Sequence, residues 1–233
     1  MKPLKRQFIS LSQVEATAAS VQGARNQQNQ DAYLMLEQQG VFAVCDGMGG
    51  HAGGQVASQL ITRTICDNLK KKTIDTITVD YLINLIAYAN RTVYQHAQQH
   101  LQLRGMGTTI VLAWIIDTQL TVCHVGDSRA YRLRSGRLKC LTQDHSPSSG
   151  KGLSRALGVK KTVNIEQHDW DWESEDRLLL VSDGISNVLT EIQLTHLLVK
   201  TPGPMVIQTV QLIAAAREAG GNDDKTAVLI RSS

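Results

Sequence analysis

Apolar positions along the chain fall into short runs that come in pairs. Ala32–Glu37 and Val41–Asp46 flank a polar stretch with Gly40, which predicts a β-hairpin. Thr108–Ile116 and Leu120–Val125 bracket Asp117-Thr118-Gln119 in the same way. Ala130–Arg134 and Arg137–Leu141 bracket Ser135-Gly136, a tight-turn signal. Further strands are predicted at Val163–His168, Arg177–Ser182 and Thr226–Ile230. Helical spacing interrupts this pattern three times. Between Gly54 and Lys72, Val56, Leu60, Thr64 and Leu69 recur at three-to-five-residue steps, and Lys70-Lys71-Lys72 closes the segment where a helix dipole favours cations. Tyr81, Leu82, Leu85, Ile86, Ala89 and Val93 mark one face of a second helix, and Met205, Val206, Val210 and Ile213 mark a third.

Strands that neighbour one another in sequence imply antiparallel pairing, and helices gathered in blocks argue against a doubly wound sheet. The unbroken apolar runs Thr109–Ile116 and Leu178–Val181 imply sheets covered on both faces. The expected fold is therefore α+β: two packed antiparallel β-sheets flanked by helices. A chain of 233 residues with 4 prolines, no internal repeat and no Pro/Ser-rich linker fits one domain over residues 1–233.

Composition narrows the function. With 24 Lys and Arg against 21 Asp and Glu, the formal charge of +3 demands no polyanionic partner. Arg129, Arg132, Arg134, Arg137 and Lys139 share one predicted hairpin, but the interleaved Leu and Tyr make it a solvated strand face, not a nucleic-acid surface. Arg129 stands apart and is expected to pair with an acid. The run Glu166–Asp176 holds six acids around Trp170 and Trp172 and reads as a solvated edge strand. Cys45, Cys66, Cys123 and Cys140 have no Cys-x-x-Cys spacing, which disfavours structural zinc and a disulfide framework; three of them sit in apolar runs and read as small buried thiols. The opening MKPLKRQFISLSQ lacks the apolar stretch of a secretion signal, and the longest apolar stretch, Ile110–Ile116, falls far short of the ~20 residues that span a membrane. The expectation is a cytoplasmic monomer that binds neither membrane nor nucleic acid.

The acids themselves are lopsided, 14 Asp against 7 Glu. Three times an apolar strand runs straight into an acidic turn: Val41–Gly47 with Asp46, Val122–Asp127, and Leu178–Gly184 with Asp183. A fourth acidic site, Asp223-Asp224, precedes the last strand. Any one Asp-Gly pair is an ordinary turn signal. Several strand-terminal carboxylates that converge would repel one another and be driven toward protonation unless a cation neutralised them. Oxygen donors without a Cys/His set select Mg²⁺ or Mn²⁺ over zinc. The glycine-rich Asp46–Gly54 segment lacks both the Gly-Lys-Ser/Thr of a P-loop and a G-x-G-x-x-G spacing, so it points to neither nucleotide motif.

These motifs carry a resemblance. Asp46-Gly47-Met48-Gly49-Gly50-His51, Gly107-Thr108-Thr109, Val125-Gly126-Asp127-Ser128-Arg129, Leu153-Ser154-Arg155-Ala156-Leu157-Gly158, Ser182-Asp183-Gly184 and Gly220-Gly221-Asn222-Asp223-Asp224 occur in the order seen in the metal-dependent type-2C (PPM) family of serine/threonine protein phosphatases. Asn29-Gln30-Asp31-Ala32 resembles that family's first motif, and the matches run from about Arg25 to Ile230. The resemblance implies two packed antiparallel sheets with outer helices. It also implies hydrolysis of phosphoserine and phosphothreonine in proteins by a hydroxide bridging two Mg²⁺ or Mn²⁺ ions, without a phosphoenzyme.

By the same resemblance, Asp46 would bridge both metals, the Gly47 carbonyl would bind one, and Asp183 and Asp223 would hold the other. Asp127 would hold a third, weaker metal, and Asp31 would orient metal-bound waters from behind. Gln30 stands where many members carry Glu, Asp224 where Asn is usual, and Asn187 where a carboxylate often supports the third metal. Arg25 is the candidate grip on phosphate, although it lies four residues before Asn29 instead of three, with Asn26 in the usual slot. His51 would donate a proton to the leaving alkoxide or hydrogen-bond near the loop. Only Pro147–Gly152 separates Asp144-His145-Ser146 from Leu153, so the family's flap is very short here. The implied partner is a phosphoprotein made by a bacterial serine/threonine kinase of signalling or secretion. Alternatives are a phosphoprotein-binding pseudophosphatase and a partner-switching phosphatase for an anti-sigma antagonist; a two-metal nuclease lacks a basic groove.

Overall fold

Runs that are apolar at every position need cover on both faces, and the tertiary structure supplies it. The computed structural model describes residues 14–49, 53–146, 152–201 and 203–232. Its elements are β1 (Val14–Val21), β2 (Asp31–Leu36), β3 (Val41–Met48), α1 (Gly53–Leu69), α2 (Val79–Gln99), β4 (Gly107–Thr108), β5 (Ile110–Ile116), β6 (Gln119–Val125), β7 (Arg129–Arg134), β8 (Arg137–Cys140), β9 (Glu166–Asp171), β10 (Arg177–Val181), α3 (Asp183–Ser186), α4 (Glu191–Lys200), α5 (Met205–Glu218) and β11 (Lys225–Ser232). One sheet runs β1-β11-β10-β7-β8 and the other β2-β3-β5-β6-β9, with β4 added to β3. Every pairing is antiparallel.

Side-chain alternation explains the layers. Along β5, Ile110, Leu112 and Trp114 pack with α1 and α2, while Val111, Ala113 and Ile115 point into the seam between the sheets. β3 divides in the same way, with Val41, Ala43 and Cys45 toward the helices and Phe42 and Val44 toward the seam. In the other sheet Leu178 and Leu180 face the seam, and Leu179 and Val181 face α4 and α5. Three apolar layers result, and the α-β-β-α sandwich expected from the sequence is the fold observed.

The differences are local. Strand β1 has no counterpart among the expected strands: its sequence Val-Glu-Ala-Thr-Ala-Ala-Ser-Val is small and weakly patterned, and it is held through eight consecutive pairings with β11. Helix α4 was hidden for a similar reason, since it buries only Leu194 and Leu198; its start is marked by a capping box between Thr190 and Gln193. The expected strand Val163–His168 lies a few residues early, because β9 takes its register from β6. Thr108–Ile116 breaks at Thr109 into β4 and β5, a break the site puts to use below.

The two charge clusters answer each other. Arg132 and Arg134 are not a solvated face: Arg132 Nη1 donates to Asp171 Oδ1 at 3.1 Å, and Arg134 binds Asp171, Glu173 and the fully buried Asp176. Lys139 lies over the Trp170 ring, 4.3 Å from its centroid. β9 is an edge strand as expected, but Trp172 is buried in the seam. All four cysteines are free; Cys45 and Cys123 are buried, whereas Cys66 and Cys140 are only partly so. Among the described residues no helix is long and apolar enough to cross a membrane.

The N-terminus of α1 presses on the end of β3 without room for a side chain. A Cβ on Gly54 would lie 2.6 Å from the Gly47 carbonyl carbon and 2.5 Å from Gln30 Oε1. Alanine in a helix is ordinarily about 1 kcal/mol more favourable than glycine. Here Gly54→Ala is expected to lower stability, by about 1–3 kcal/mol, in urea unfolding; a stabilised variant would contradict the close approach.

Candidate active site

The aspartates that end strands in the sequence meet at one edge of the seam. Asp46 and Gly47 lie near the end of β3, Asp127 in the turn from β6 to β7, Asp183 at the start of α3 directly after β10, and Asp223 and Asp224 in the turn from α5 to β11. Strands β3 and β6 belong to one sheet and β10 and β11 to the other, so the site exists only where the sheets pack. Asp46, Gly47, Asp127, Asp183 and Asp223 line one cavity of about 730 Å³, with Arg25 and Asn26 among the residues completing its wall.

Backbone contacts account for the motifs. The Asp46 N–H donates to Thr109 Oγ1 at 2.9 Å, and the Asp46 carbonyl accepts from Thr108 Oγ1 and the Thr109 N–H, each at 2.8 Å. Thr109 Oγ1 also bonds Ser128 Oγ at 2.7 Å, beside Asp127. The break between β4 and β5 therefore clamps the segment bearing Asp46. Asp224 faces away from the cavity: its carboxylate accepts the Gly23 and Gln30 N–H groups, each at 2.7 Å, and Asn26 Nδ2 at 2.8 Å. A carboxylate where the family usually has Asn thus anchors the whole β1–β2 loop. That loop presents Arg25, whose Nη1 lies 3.3 Å from Asp223 Oδ2 while the side chain stays 74% exposed.

Asp31 opens β2 directly opposite Asp46 in the strand register. Its Oδ2 accepts from Ser182 Oγ at 2.7 Å, a tie between the two sheets. Its buried Oδ1 has no hydrogen-bond partner among the described residues. Burial pushes the Asp31 pKa up to about 7, against the Ser182 and Thr226 hydroxyls that pull it down. Burial, then the charges of Asp31 and Asp183, drive Asp46 well above the usual carboxylate range. Asp183 is also raised by burial and by the charge of Asp223, against the pull of Arg25 and Arg129. Asp127 is pushed up to about 6 by burial and by Asp183 and Asp144. Acids that hold protons for want of counter-charge, an orphaned carboxylate oxygen and an all-oxygen donor set together fit hard divalent cations.

Several supporting groups were missed or left open in the sequence. Asn26 Nδ2 bridges Asp223 Oδ1 at 3.1 Å and Asp224 Oδ2 at 2.8 Å. Its signal was its place in the slot usually held by arginine. Asn187 Nδ2 donates to Asp183 Oδ2 at 3.0 Å, so this position orients Asp183. Arg129 does pair with an acid, gripping Asp144 through Nε at 2.9 Å and Nη2 at 2.7 Å. Gln30 lines the cavity, and its carbonyl accepts from Gly47 N–H at 3.1 Å and Ser58 Oγ at 2.6 Å. His51 and most of the short flap lie outside the described residues.

A separate grouping, His124, His145 and Glu166, is compact enough to invite a metal, with donor atoms within 4.8 Å of one another. Its hydrogen bonds argue otherwise. The Gly126 N–H donates to His145 Nδ1 at 3.1 Å, which assigns the ring proton to Nε2, where it meets Glu166 Oε2 at 3.0 Å. The Arg155 guanidinium, 3.2 Å from that nitrogen, opposes a cation there. The cluster is a hydrogen-bonded clamp on Gly126, next to Asp127.

Comparison with known proteins identifies the family that has this sandwich. The Protein phosphatase 2C family matches residues 22–214. The serine/threonine phosphatase stp of Listeria monocytogenes is 31% identical over 228 residues, covering 88% of this chain and 89% of the relative. The structure of PppA, described as a key regulatory component of the T6SS in Pseudomonas aeruginosa, superposes with a TM-score of 0.84 at 28% identity, over 97% of this chain and 99% of that one. The catalytic domain of the phosphatase PstP in complex with two manganese ions gives a TM-score of 0.84 at 28% identity, over 94% and 97%. The chain belongs to the protein phosphatase 2C family and is a protein-serine/threonine phosphatase of the bacterial type.

The raised acids carry a signature in stability. The metal-free folded state binds their protons more tightly than the unfolded chain does, so their contribution is full below the ordinary aspartate value of 3.8 and is lost as pH rises through about 6 for Asp127 and about 7 for Asp31. In chelator, the melting temperature is expected to fall between about pH 5 and pH 7.5. Mn²⁺ should flatten that slope, and Asp31→Asn should reduce it. A slope indifferent to Mn²⁺ would contradict cation binding by these acids.

Proposed function

We propose that this chain, acting as one catalytic domain, hydrolyses phosphoserine and phosphothreonine in proteins with Mg²⁺ or Mn²⁺, opposing a serine/threonine kinase in the cytoplasm. The observation that supports the metal dependence is the convergence of Asp46, Asp127, Asp183 and Asp223 on one cavity, with the partnerless oxygen of Asp31 in the strand position opposite Asp46. Asp46 and the Gly47 carbonyl would hold one cation, with Asp46 shared toward a second held by Asp183 and Asp223; Asp127 would take a third more weakly. When bound, such cations lower the pKa of a coordinated water toward neutrality and screen the charge of an approaching phosphate.

The chain's own residues set the rest. Asp31, opposite Asp46 in the strand register and held by Ser182, would orient metal-bound water from behind. Arg25, exposed at the rim, offers the phosphate oxygens a fork of N–H donors. Asn26 and Asp224 hold the loop that places it. The one-residue shift of Arg25 is therefore compatible with its role, because Asn26 occupies the inner position and leaves Arg25 at the mouth. The reaction forms a bond from a water oxygen to phosphorus and breaks the bond to the seryl or threonyl oxygen, which leaves needing a proton. His51 is the proposed donor of that proton.

Hydrolysis of a phosphothreonine peptide is expected to require Mn²⁺ or Mg²⁺, to stop in chelator, and to fall at least about 100-fold in Asp183→Asn. Absence of metal-dependent turnover would leave only a phosphoprotein-binding role. Arg25→Ala should raise KM about 10-fold or more with a smaller change in kcat. His51→Ala should slow the peptide more than p-nitrophenyl phosphate, whose leaving group needs no proton; equal losses would restrict His51 to positioning.

A further inference from the structure

A second cavity, of about 580 Å³, shares none of its lining residues with the active site yet borders the same two loops. Its walls come from the end of β1 with Gln22–Ala24, from Ile213 and Arg217 on α5, and from Gly221, Asn222 and Lys225 around the turn into β11. The lining includes two cations and no carboxylate. Lys225 is only 3% exposed, and its ammonium donates to the Asp223 carbonyl at 2.6 Å. No ion pair joins it to a carboxylate among the described residues. An ammonium has three donors, and a buried charge is ordinarily paired with an opposite one. Arg217, on the last turn of α5, is exposed and likewise has no carboxylate partner among the described residues. Val21 and Ile213 add apolar surface between the two cations' chain segments.

We propose that this cavity binds a small organic anion, with a carboxylate or phosphoryl head held by Lys225 and Arg217 and an apolar body against Val21 and Ile213. The occupant would rest on the turn that carries Asp223 and the loop that carries Arg25, since the Arg25 N–H donates to the Asn222 carbonyl at 2.9 Å. It would thus sit outside the active site while touching the segments that build it.

The test follows backbone amides of Mg²⁺-loaded, ¹⁵N-labelled protein by NMR during separate titrations with benzoate and phenylphosphonate. Benzoate reports a carboxylate head and phenylphosphonate a phosphoryl head. At millimolar concentration at least one probe is expected to move the amides of Gln22, Gly23, Gly221 and Asn222. Arg217→Ala and Lys225→Met should each weaken that binding about tenfold, while Arg25→Ala leaves it unchanged. Silence of those amides with both probes overturns the proposal. So do shifts that vanish in Arg25→Ala but persist in Arg217→Ala, which would put the probe in the active site. Should Lys225→Met disturb the turn, Arg217→Ala on the helix surface carries the test alone.

Discussion

Carboxylates held out of water in a shared cavity repel one another, and here the scaffold gives them nowhere to go. Asp46 is clamped by Thr108 and Thr109, Asp183 starts a helix directly after a strand, and Asp31 is tied to Ser182 across the sheets. The donors supplied by Asn26, Asn187 and Ser182 orient these acids without neutralising them. Arg129 is committed to Asp144, and Arg25 stays at the exposed rim. The remaining way to relieve the repulsion, short of protonation, is an added cation. Rigidity that would be a defect in an ordinary surface cluster is what suits this one to the proposed cations.

The contrast with the chain's other acidic cluster shows how deliberate that lack of counter-charge is. Around the end of β9, Arg134 and Arg132 beside Asp171 hold its carboxyl down at about 2, and Arg134 also covers the buried Asp176. There the protein supplies its own cations and the cluster closes the edge of the sandwich. At the opposite extreme, Asp127 and Asp31 are pushed up to about 6 and about 7. The two clusters differ because Arg132 and Arg134 on β7 bind the acids of one directly, whereas in the other only the exposed Arg25 touches a carboxylate, that of Asp223, and Arg129 is held by Asp144.

Much of this was legible in order and little of it in depth. The unbroken apolar runs of β5 and β10 announced two-sided burial, and the aspartates at the ends of β3, β6 and β10 announced the candidate site. β1 and α4 escaped because small residues and a narrow buried stripe carry no period strong enough to read. Asp224 was legible as part of a motif but not as the anchor of the Arg25 loop, since its donors Gly23, Asn26 and Gln30 lie some 194 to 201 residues away in sequence. The basic hairpin read as a solvated face for a similar reason: its acidic partners lie at the end of β9, on the other sheet, and in the connection that follows it.

The sequence by itself pointed to the candidate residues: local spacing marked the strand-end acids Asp46, Asp127 and Asp183 and the pair Asp223-Asp224, and the family resemblance added Asp31 and Arg25. It also determined the layered fold, because the period-2 alternation and the two-sided runs admit few other arrangements. Only the tertiary structure decided which acids converge on one cavity, which oxygen is left without a donor, and which cations are already engaged. Those properties depend on distances between segments that meet only when the two sheets pack, and charge interactions fall off too steeply with separation for sequence order to stand in for them.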